Sequence, residues 1–337
     1  MTRRPDAAVP DLGAAVAPGA RERHCSVGRT LAILSDAWSF LVLREAYLGA
    51  RRFGEWLSVL RLPRATLAER LERLTASGLL RRVPYSARPP REEYRLTEAG
   101  IDLYLVMLSL LRFGDQYLCA DRPPPMRLVH AACGAECTPL TVCSHCRTEV
   151  AAGAVRYRDG PGAGMGPPPD MRRVRRAGDA AAFERGRPSS VARALAAVGD
   201  RWSFLVLREA FFGVRRFDAL LDGLGIAPNV LADRLARLVA EGLLARVPDA
   251  AGAARHEYRL TAMGRALYLP MIHMLRWGDR WLAPDGPPLI LTHRTCGCDF
   301  VPLLVCDGCA APLHAHDMRY RLRYANPLPA EAPALLR

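Results

Sequence analysis

The stretch WSFLVLREA runs from Trp38 to Ala46 and returns, letter for letter, from Trp202 to Ala210. The same offset of 164 residues carries RRF at Arg51–Phe53 onto Arg215–Phe217 and EYRLT at Glu93–Thr97 onto Glu257–Thr261. LRFGD at Leu111–Asp115 returns as LRWGD at Leu275–Asp279. A repeat on this scale means that one supersecondary unit is present twice, and it sets the organisation before any single residue is read.

A chain of 337 residues has room for two such units, each with its own core. Hydrophobic content of 50% with 24% charged residues is that of a soluble globular protein. No run approaches the roughly 18–20 apolar residues of a membrane helix, and residues 1–23 read as a tail without the apolar core of a signal peptide. The expected compartment is the cytoplasm. The net charge of +13 is dominated by arginine, which forms bidentate contacts with phosphate and guanine. Double-stranded DNA is therefore the expected partner; an arginine-rich composition with no such partner is the alternative. A membrane surface is not expected, because no basic amphipathic helix stands out.

Apolar spacing predicts a helix from Ser26 to Leu34, a heavily buried one from Asp36 to about Gly49, and a short one from Phe53 to Leu60. After Pro63, Leu67, Leu71 and Leu74 form one face of a helix that stops at Gly78. In the second copy Leu231, Leu235 and Leu238 form that face, Pro228 occupies the first turn and Gly242 ends the helix. Two β-prone runs, Leu79–Val83 and Glu93–Leu96, flank a Pro- and Arg-rich loop and read as a hairpin. Thr97 and Thr261 cap a closing helix reaching about Cys119 and Leu282. Its apolar surface exceeds what one small domain buries, so part of it is expected to pack on another copy of the module.

Three helices, a hairpin and a closing helix make a winged helix-turn-helix. DAWSFLVLREAYLGARRF, LAERLERLTASGLL and EYRLTEAG, with DRWSFLVLREAFFGVRRF, LADRLARLVAEGLL and EYRLTAMG, resemble the HxlR-type family of bacterial transcriptional regulators, twice over. The fold class expected is mainly α with small β wings (α+β): two winged helix-turn-helix domains, each followed by a small Cys-rich, zinc-ribbon-like extension. The divisions expected are a tail (1–23), winged helix 1 (24–120), ribbon 1 (121–157), a flexible linker (158–188), winged helix 2 (189–283), ribbon 2 (284–325) and a tail (326–337). Family members are typically homodimers on palindromic operators. The tandem therefore implies either an intramolecular pseudo-dimer or a chain that still forms homodimers.

In that architecture the helix after the short one enters the major groove and the hairpin reaches the backbone. The resemblance implies groove-facing roles for Arg64, Thr66, Arg70 and Arg73, and for Pro228, Asn229, Arg234 and Arg237. Arg88, Arg91, Arg255 and His256 are the wing candidates, and Arg51, Arg52, Arg215 and Arg216 flank the short helix. Two readings stay open for Arg70 and Arg234: DNA contact, or an ion pair with a carboxylate such as Glu45 or Glu209. The copies differ where Arg64–Ala65–Thr66 faces Pro228–Asn229–Val230, which favours two unlike half-sites.

Eight of the ten cysteines lie in two clusters. HAACGAECTPLTVCSHC (His130–Cys146) and HRTCGCDFVPLLVCDGC (His293–Cys309) share the skeleton H-x2-C-G…P…C-x2-C. His130, Cys133, Cys143 and Cys146, and likewise His293, Cys296, Cys306 and Cys309, match the donor set of a tetrahedral structural zinc site; packing cysteines without metal are the alternative. Cys137 and Cys298 do not align with one another. No organic cofactor is expected. Cys25 stands where many members of the resembled family have a cysteine, which some use as a thiol switch; Ser189 replaces it in the second copy, and an inert, partly buried thiol is the alternative reading. Arg172, Arg173, Arg175 and Arg176 offer nonspecific phosphate contacts or a solvated charge run. No paired carboxylates, nucleophile–base pair or phosphate loop suggest an enzyme. The competing function is a protein-interaction scaffold built from winged-helix and metal-ribbon modules.

Overall fold

The computed structural model of the chain describes residues 22–34, 36–119, 123–167, 180–185, 187–249 and 252–324. Most of residues 1–23, all of 326–337 and the arginines at 172–176 lie outside the described residues. Each module opens with a helix, α1 (Ser26–Ile33) or its counterpart α8 (Ser190–Val198), capped by a side chain at Cys25 or Ser189. Next come α2 (Ala37–Tyr47), α3 (Phe53–Leu60) and α4 (Arg64–Ala76). The second copy has α9 (Arg201–Phe211), α10 (Phe217–Leu224) and α11 (Pro228–Ala240). Asp36 starts α2 by accepting the Ser39 N–H, and Phe40, Leu41, Val42 and Leu43 are all buried. That explains why this stretch reads as apolar all round rather than striped. Leu67, Leu71 and Leu74 are the fully buried stripe of α4, as are Leu231, Leu235 and Leu238 in α11.

The hairpin is longer than the sequence suggests. Strand β2 (Leu80–Ala87) pairs with β3 (Pro90–Leu96) from Leu80↔Leu96 out to Ala87↔Pro90, with a register shift beyond Pro84. The prolines are tolerated because a two-stranded wing has open edges, where a missing N–H leaves no ladder bond broken. Its counterpart joins β9 (Leu244–Asp249) to β10 (Gly252–Leu260). The single closing helix expected in each copy is two. In the first, α5 (Glu98–Asp102) gives way at Leu103 to α6 (Tyr104–Tyr117). In the second, α12 (Ala262–Ala266) gives way at Leu267 to α13 (Tyr268–Trp281). At Gly100 an added Cβ would stand 2.2 Å from the Leu79 carbonyl oxygen, so α5 is seated directly on the chain entering the wing.

The halves exchange their opening helices. α1 packs on α13 of the second half, α8 packs on α6 of the first, and α6 and α13 also meet. The boundaries at 24 and 189 therefore divide the sequence but not the packing. The LRFGD and LRWGD glycines explain the close approach: an added Cβ at Gly114 would lie 2.1 Å from the Ser190 carbonyl oxygen, and at Gly278 2.5 Å from that of Ser26. Ser190 Oγ donates to Asp115, and Ser26 Oγ to Asp279 at 2.5 Å.

The segments read as two ribbons are one interleaved body. β4 (Met126–His130) pairs with β13 (Met318–Leu322), β6 (Pro139–Cys143) with β12 (Pro302–Cys306), and β7 (Val155–Asp159) with β11 (Leu289–His293). Each of these pairs takes one strand from each half, and Thr141 lies opposite Leu304, its own counterpart. Strands this short leave open edges when alone, and the partner half covers them. Nor is 158–188 simply a tether among its described residues. Asp159 belongs to β7, Met165–Gly166 pairs with Glu22–Arg23, and Arg187 is buried. Glu22, read as tail, is also buried, 3.1 Å from Arg201 Nη2.

Candidate nucleic-acid interface and metal clusters

The start of α4 and its wing carry the open basic groups. Arg64 is exposed, its guanidinium 5.1 Å from the centre of the Phe53 ring, and Thr66 is half-buried beside it. Arg52 is exposed and lies 4.6 Å over Tyr85 of the wing, linking the short helix to the hairpin. Arg88 and Arg91 are exposed at the wing tip. Arg51 is half-buried, and its carbonyl accepts the Tyr94 N–H. In the second copy Asn229 and Arg255 are exposed. Arg215 is exposed 3.9 Å from Glu257, Arg216 binds Asp218, and His256 Nδ1 lies 3.3 Å from Arg246.

Four of the expected groove residues are turned toward the protein instead. Arg70 Nε lies 2.8 Å from Asp36, and Arg73 lies 2.7 Å from Glu69 and 3.7 Å from Asp36. Arg234 reaches Asp200 at 2.5 Å, and Arg237 donates to the Ala196 carbonyl at 2.5 Å. The acid that holds Arg70 and Arg234 is thus the N-cap of α2 or α9, not Glu45 or Glu209. Glu45 lies near the other end of α2, paired with Arg44 and Arg187, and Glu209 with Arg208. The LxxRL spacing puts Arg70 beside the buried stripe, within reach of Glu69 on its own helix, 3.0 Å from its Nη1, and of Asp36 at the start of the preceding long helix. Each arginine ties the groove helix to that start.

All eight cysteine and histidine residues expected to ligate metal are gathered, but in a different partition. One cluster is His130, Cys133, Cys306 and Cys309; the other is Cys143, Cys146, His293 and Cys296. Each takes a His-x2-Cys knuckle from one half and a CxxC turn from the other. The grouping expected within each repeat fails because β6 and β12 run antiparallel and carry each CxxC turn toward the opposite knuckle. The knuckles turn through left-handed glycines, Gly134 (φ 70°) and Gly297 (φ 72°). Cys133 and Cys306 sulfurs are 3.9 Å apart, and Cys309 Sγ lies 3.3 Å from His130 Nδ1. In the other cluster Cys143 and Cys296 sulfurs are 4.0 Å apart and Cys146 Sγ lies 3.3 Å from His293 Nδ1. A tetrahedron with zinc–ligand bonds of about 2.0–2.3 Å has edges of roughly 3.3–3.8 Å; the sulfur–nitrogen separations of 3.3 Å match it and the sulfur–sulfur separations of 3.9 and 4.0 Å are slightly longer, so each cluster is a candidate site for such an ion. Cys298 adds a thiol beside Cys296 and His145.

The sequence profile of the HxlR-like helix-turn-helix family matches residues 33–122 and 197–286, more than half of the chain. The chain belongs to the HxlR-like family. The HTH-type transcriptional regulator Rv3095 of Mycobacterium tuberculosis is 47% identical over 137 residues, 41% of this chain and 87% of that protein. The HTH-type regulator sll1512 of Synechocystis is 36% identical over 95 residues, 28% of this chain and 70% of its own. YdeP of Bacillus subtilis, also an HTH-type transcriptional regulator, is 32% identical over 94 residues, 28% of this chain and 73% of its own.

Among the groups that titrate abnormally, three lie between the two HxlR-like modules. Burial raises the Asp115 carboxyl to about 6, although the Ser190 hydroxyl favours its charged form, and Asp279 is raised to about 6 for the same reason against Ser26. His273, hydrogen-bonded through Nε2 to Thr141 at 3.0 Å, is held down to about 3 by burial and by Arg276, so it is a neutral core residue. Cys25 is buried at the start of α1 and accepts the Gly28 N–H, as Ser189 accepts that of Ala192 in α8. The cap is one task that thiol and hydroxyl share. No single helix among the described residues is long and apolar enough to cross a membrane.

Proposed function

We propose that this chain is a sequence-specific transcriptional regulator that binds double-stranded DNA as a single-chain pseudo-dimer. The observation that carries this reading is the reciprocal exchange of α1 and α8 between two modules of one helix-turn-helix family. It supplies within one chain the two reading heads that such folds ordinarily bring together by dimerisation. Arg64 and Thr66 in one head and Asn229 in the other are the base-reading candidates, suited to guanine and adenine respectively. Arg52, Arg88 and Arg91, with Arg215, Arg216, Arg255 and His256, supply phosphate contacts. Arg51, Arg70, Arg73, Arg234 and Arg237 support the heads from within, because their guanidinium or backbone contacts hold elements together.

Selection of random duplex DNA on the full chain at two salt concentrations tests this. The expected motif has two unlike half-sites, and affinity falls with added salt through counterion release. Arg64→Ala should relax one half-site and Asn229→Ala the other. Salt-sensitive binding without a motif would reduce the protein to a nonspecific binder. No binding, with thiols reduced and zinc supplied, would favour the protein-interaction scaffold.

We assign each Cys3His cluster to one structural zinc ion. Four protein donors would close the coordination sphere and leave no position for a substrate. When bound, zinc supplies a strong tie between deprotonated donors. Because each cluster draws on both halves, that tie joins the modules. Elemental analysis of the purified chain should find two zinc ions, one per cluster. Cys133→Ser and Cys306→Ser should each remove the same ion although 173 residues separate them. Loss of different ions by the two variants would refute the shared partition.

A further inference from the structure

The two Cys3His clusters share a backbone but differ at one corner. In the knuckles, the Ala135 carbonyl accepts the His130 N–H at 3.0 Å, and the Cys298 carbonyl accepts that of His293 at 2.9 Å. Ala135 and Cys298 therefore hold the same place. The CxxC turns also match: the Cys143 carbonyl accepts the Arg147 N–H and the Cys306 carbonyl that of Ala310, and both Arg147 and Ala310 are left-handed. Within those turns His145 corresponds to Gly308. Where one cluster has Ala135 and Gly308, the other has Cys298 and His145.

These two added side chains come from opposite halves of the chain and meet. With Cys296, already one of the four donors of its cluster, they form a group whose ligand atoms all lie within 4.8 Å of one another. His145 is exposed and Cys298 half-buried, so the group opens to solvent. Neither side chain is needed to shape the turn, since a methyl group and a hydrogen serve in the other cluster. Cys137, the extra thiol of that other cluster, joins no three-donor group among the described residues.

We propose that His145, Cys296 and Cys298 bind a further zinc ion, exchangeable with solvent, beside the structural one. Two thiolates and an imidazole suit zinc and are poorly matched to magnesium or calcium. The Cys296 sulfur keeps lone pairs after binding one ion, so it can bridge to a second; in this the proposal rests on the structural zinc assigned above. Three protein donors leave the fourth position to water, unlike the closed set next to it. The added ion is therefore held less tightly and is taken up only when zinc is supplied. Because His145 and Cys298 lie on different halves, its binding favours their joined arrangement by mass action.

The test is titration of the full chain with zinc against a chromophoric chelator, thiols reduced and DNA absent. Two ions are expected to stay with the purified chain, one per four-donor cluster. A third should bind on added zinc, weaker by on the order of tenfold or more. His145→Ala and Cys298→Ser should each remove the third ion and keep the two tight ones, which also shows that the clusters still form. Saturation at two ions in the unaltered chain, or a third bound with unchanged affinity by either variant, overturns the proposal and leaves the structural zinc in place. Loss of a tight ion in Cys298→Ser would make Cys298 a ligand of the structural ion and overturn the shared site. Fewer than two tight ions in the unaltered chain would overturn the structural assignment and this proposal together.

Discussion

The two modules share their interior words and differ on their outer surfaces. WSFLVLREA is identical in both, and Phe40, Leu41, Val42 and Leu43 are buried like Phe204, Leu205, Val206 and Leu207. At the start of the groove helix, Arg64 and Thr66 stand where the other copy has Pro228 and Val230. The lesson concerns the arginines that do repeat. Arg70 and Arg234, and Arg73 and Arg237, recur because each module must hold its groove helix against earlier helices, Arg70, Arg73 and Arg234 at the N-cap of α2 or α9 and Arg237 at the Ala196 carbonyl of α8, not because both read the same base. The residues that differ on the open face are the better guides to what each head recognises.

The largest effect that would break this comparison is at the anchoring acid. Asp36→Ala leaves Arg70 without its buried partner and α2 without its cap, so a loss of about 3–5 kcal/mol is expected in urea unfolding. Asp200→Ala should cost less, because the Asp200 side chain is 19% exposed against 6% for Asp36. Equal and negligible losses would mean that these arginines are available to DNA after all.

Next come the glycines at the exchanged helices. Gly114→Ala and Gly278→Ala each drive a methyl group into a backbone carbonyl, with an expected loss of about 1–3 kcal/mol or more. Gly54→Ala, which meets nothing within 4 Å, is the matched control. On DNA, Arg64→Ala should cost about 1–3 kcal/mol at one half-site and leave the other unchanged, read by competition with half-site mutants.

The smallest effect is that of pH. Asp115 and Asp279 titrate near 6 in the folded chain, above the ordinary carboxylate value. Between about pH 4 and 6 the folded state therefore holds protons that the unfolded chain has released. Their contribution to stability is greatest below the unfolded value and declines as pH rises through about 6. Asp115→Asn with Asp279→Asn should flatten that decline and raise the melting temperature at pH 8 by a few degrees, for on the order of 1 kcal/mol each. A wild-type decline between about pH 4 and 6 that survives both substitutions would place its origin elsewhere.

The duplication, the helix order, the wing and the eight clustered metal-ligand candidates were legible in the chain. They depend on periodicity, capping and local spacing, which a sequence displays directly. The partners of the groove arginines are not legible there, since charge on a helix face does not reveal that Asp36, at the start of another helix, lies within reach of Arg70. The length of the wing was also hidden, because its prolines suppress the strand signal that an open hairpin tolerates.

What the sequence determined alone is that there are two like modules and two like cysteine knuckles, and which residues each must bury. Only the tertiary structure decided which half completes which. α1 seats on α13, α8 on α6, and His130–Cys133 meets Cys306–Cys309. Two near-identical units offer nearly the same partners within a half and across halves, so no local preference distinguishes them. The choice is made by shape: Gly114 and Gly278 admit the other half's helix, and the antiparallel pairing of β6 with β12 carries each CxxC turn across to the opposite knuckle.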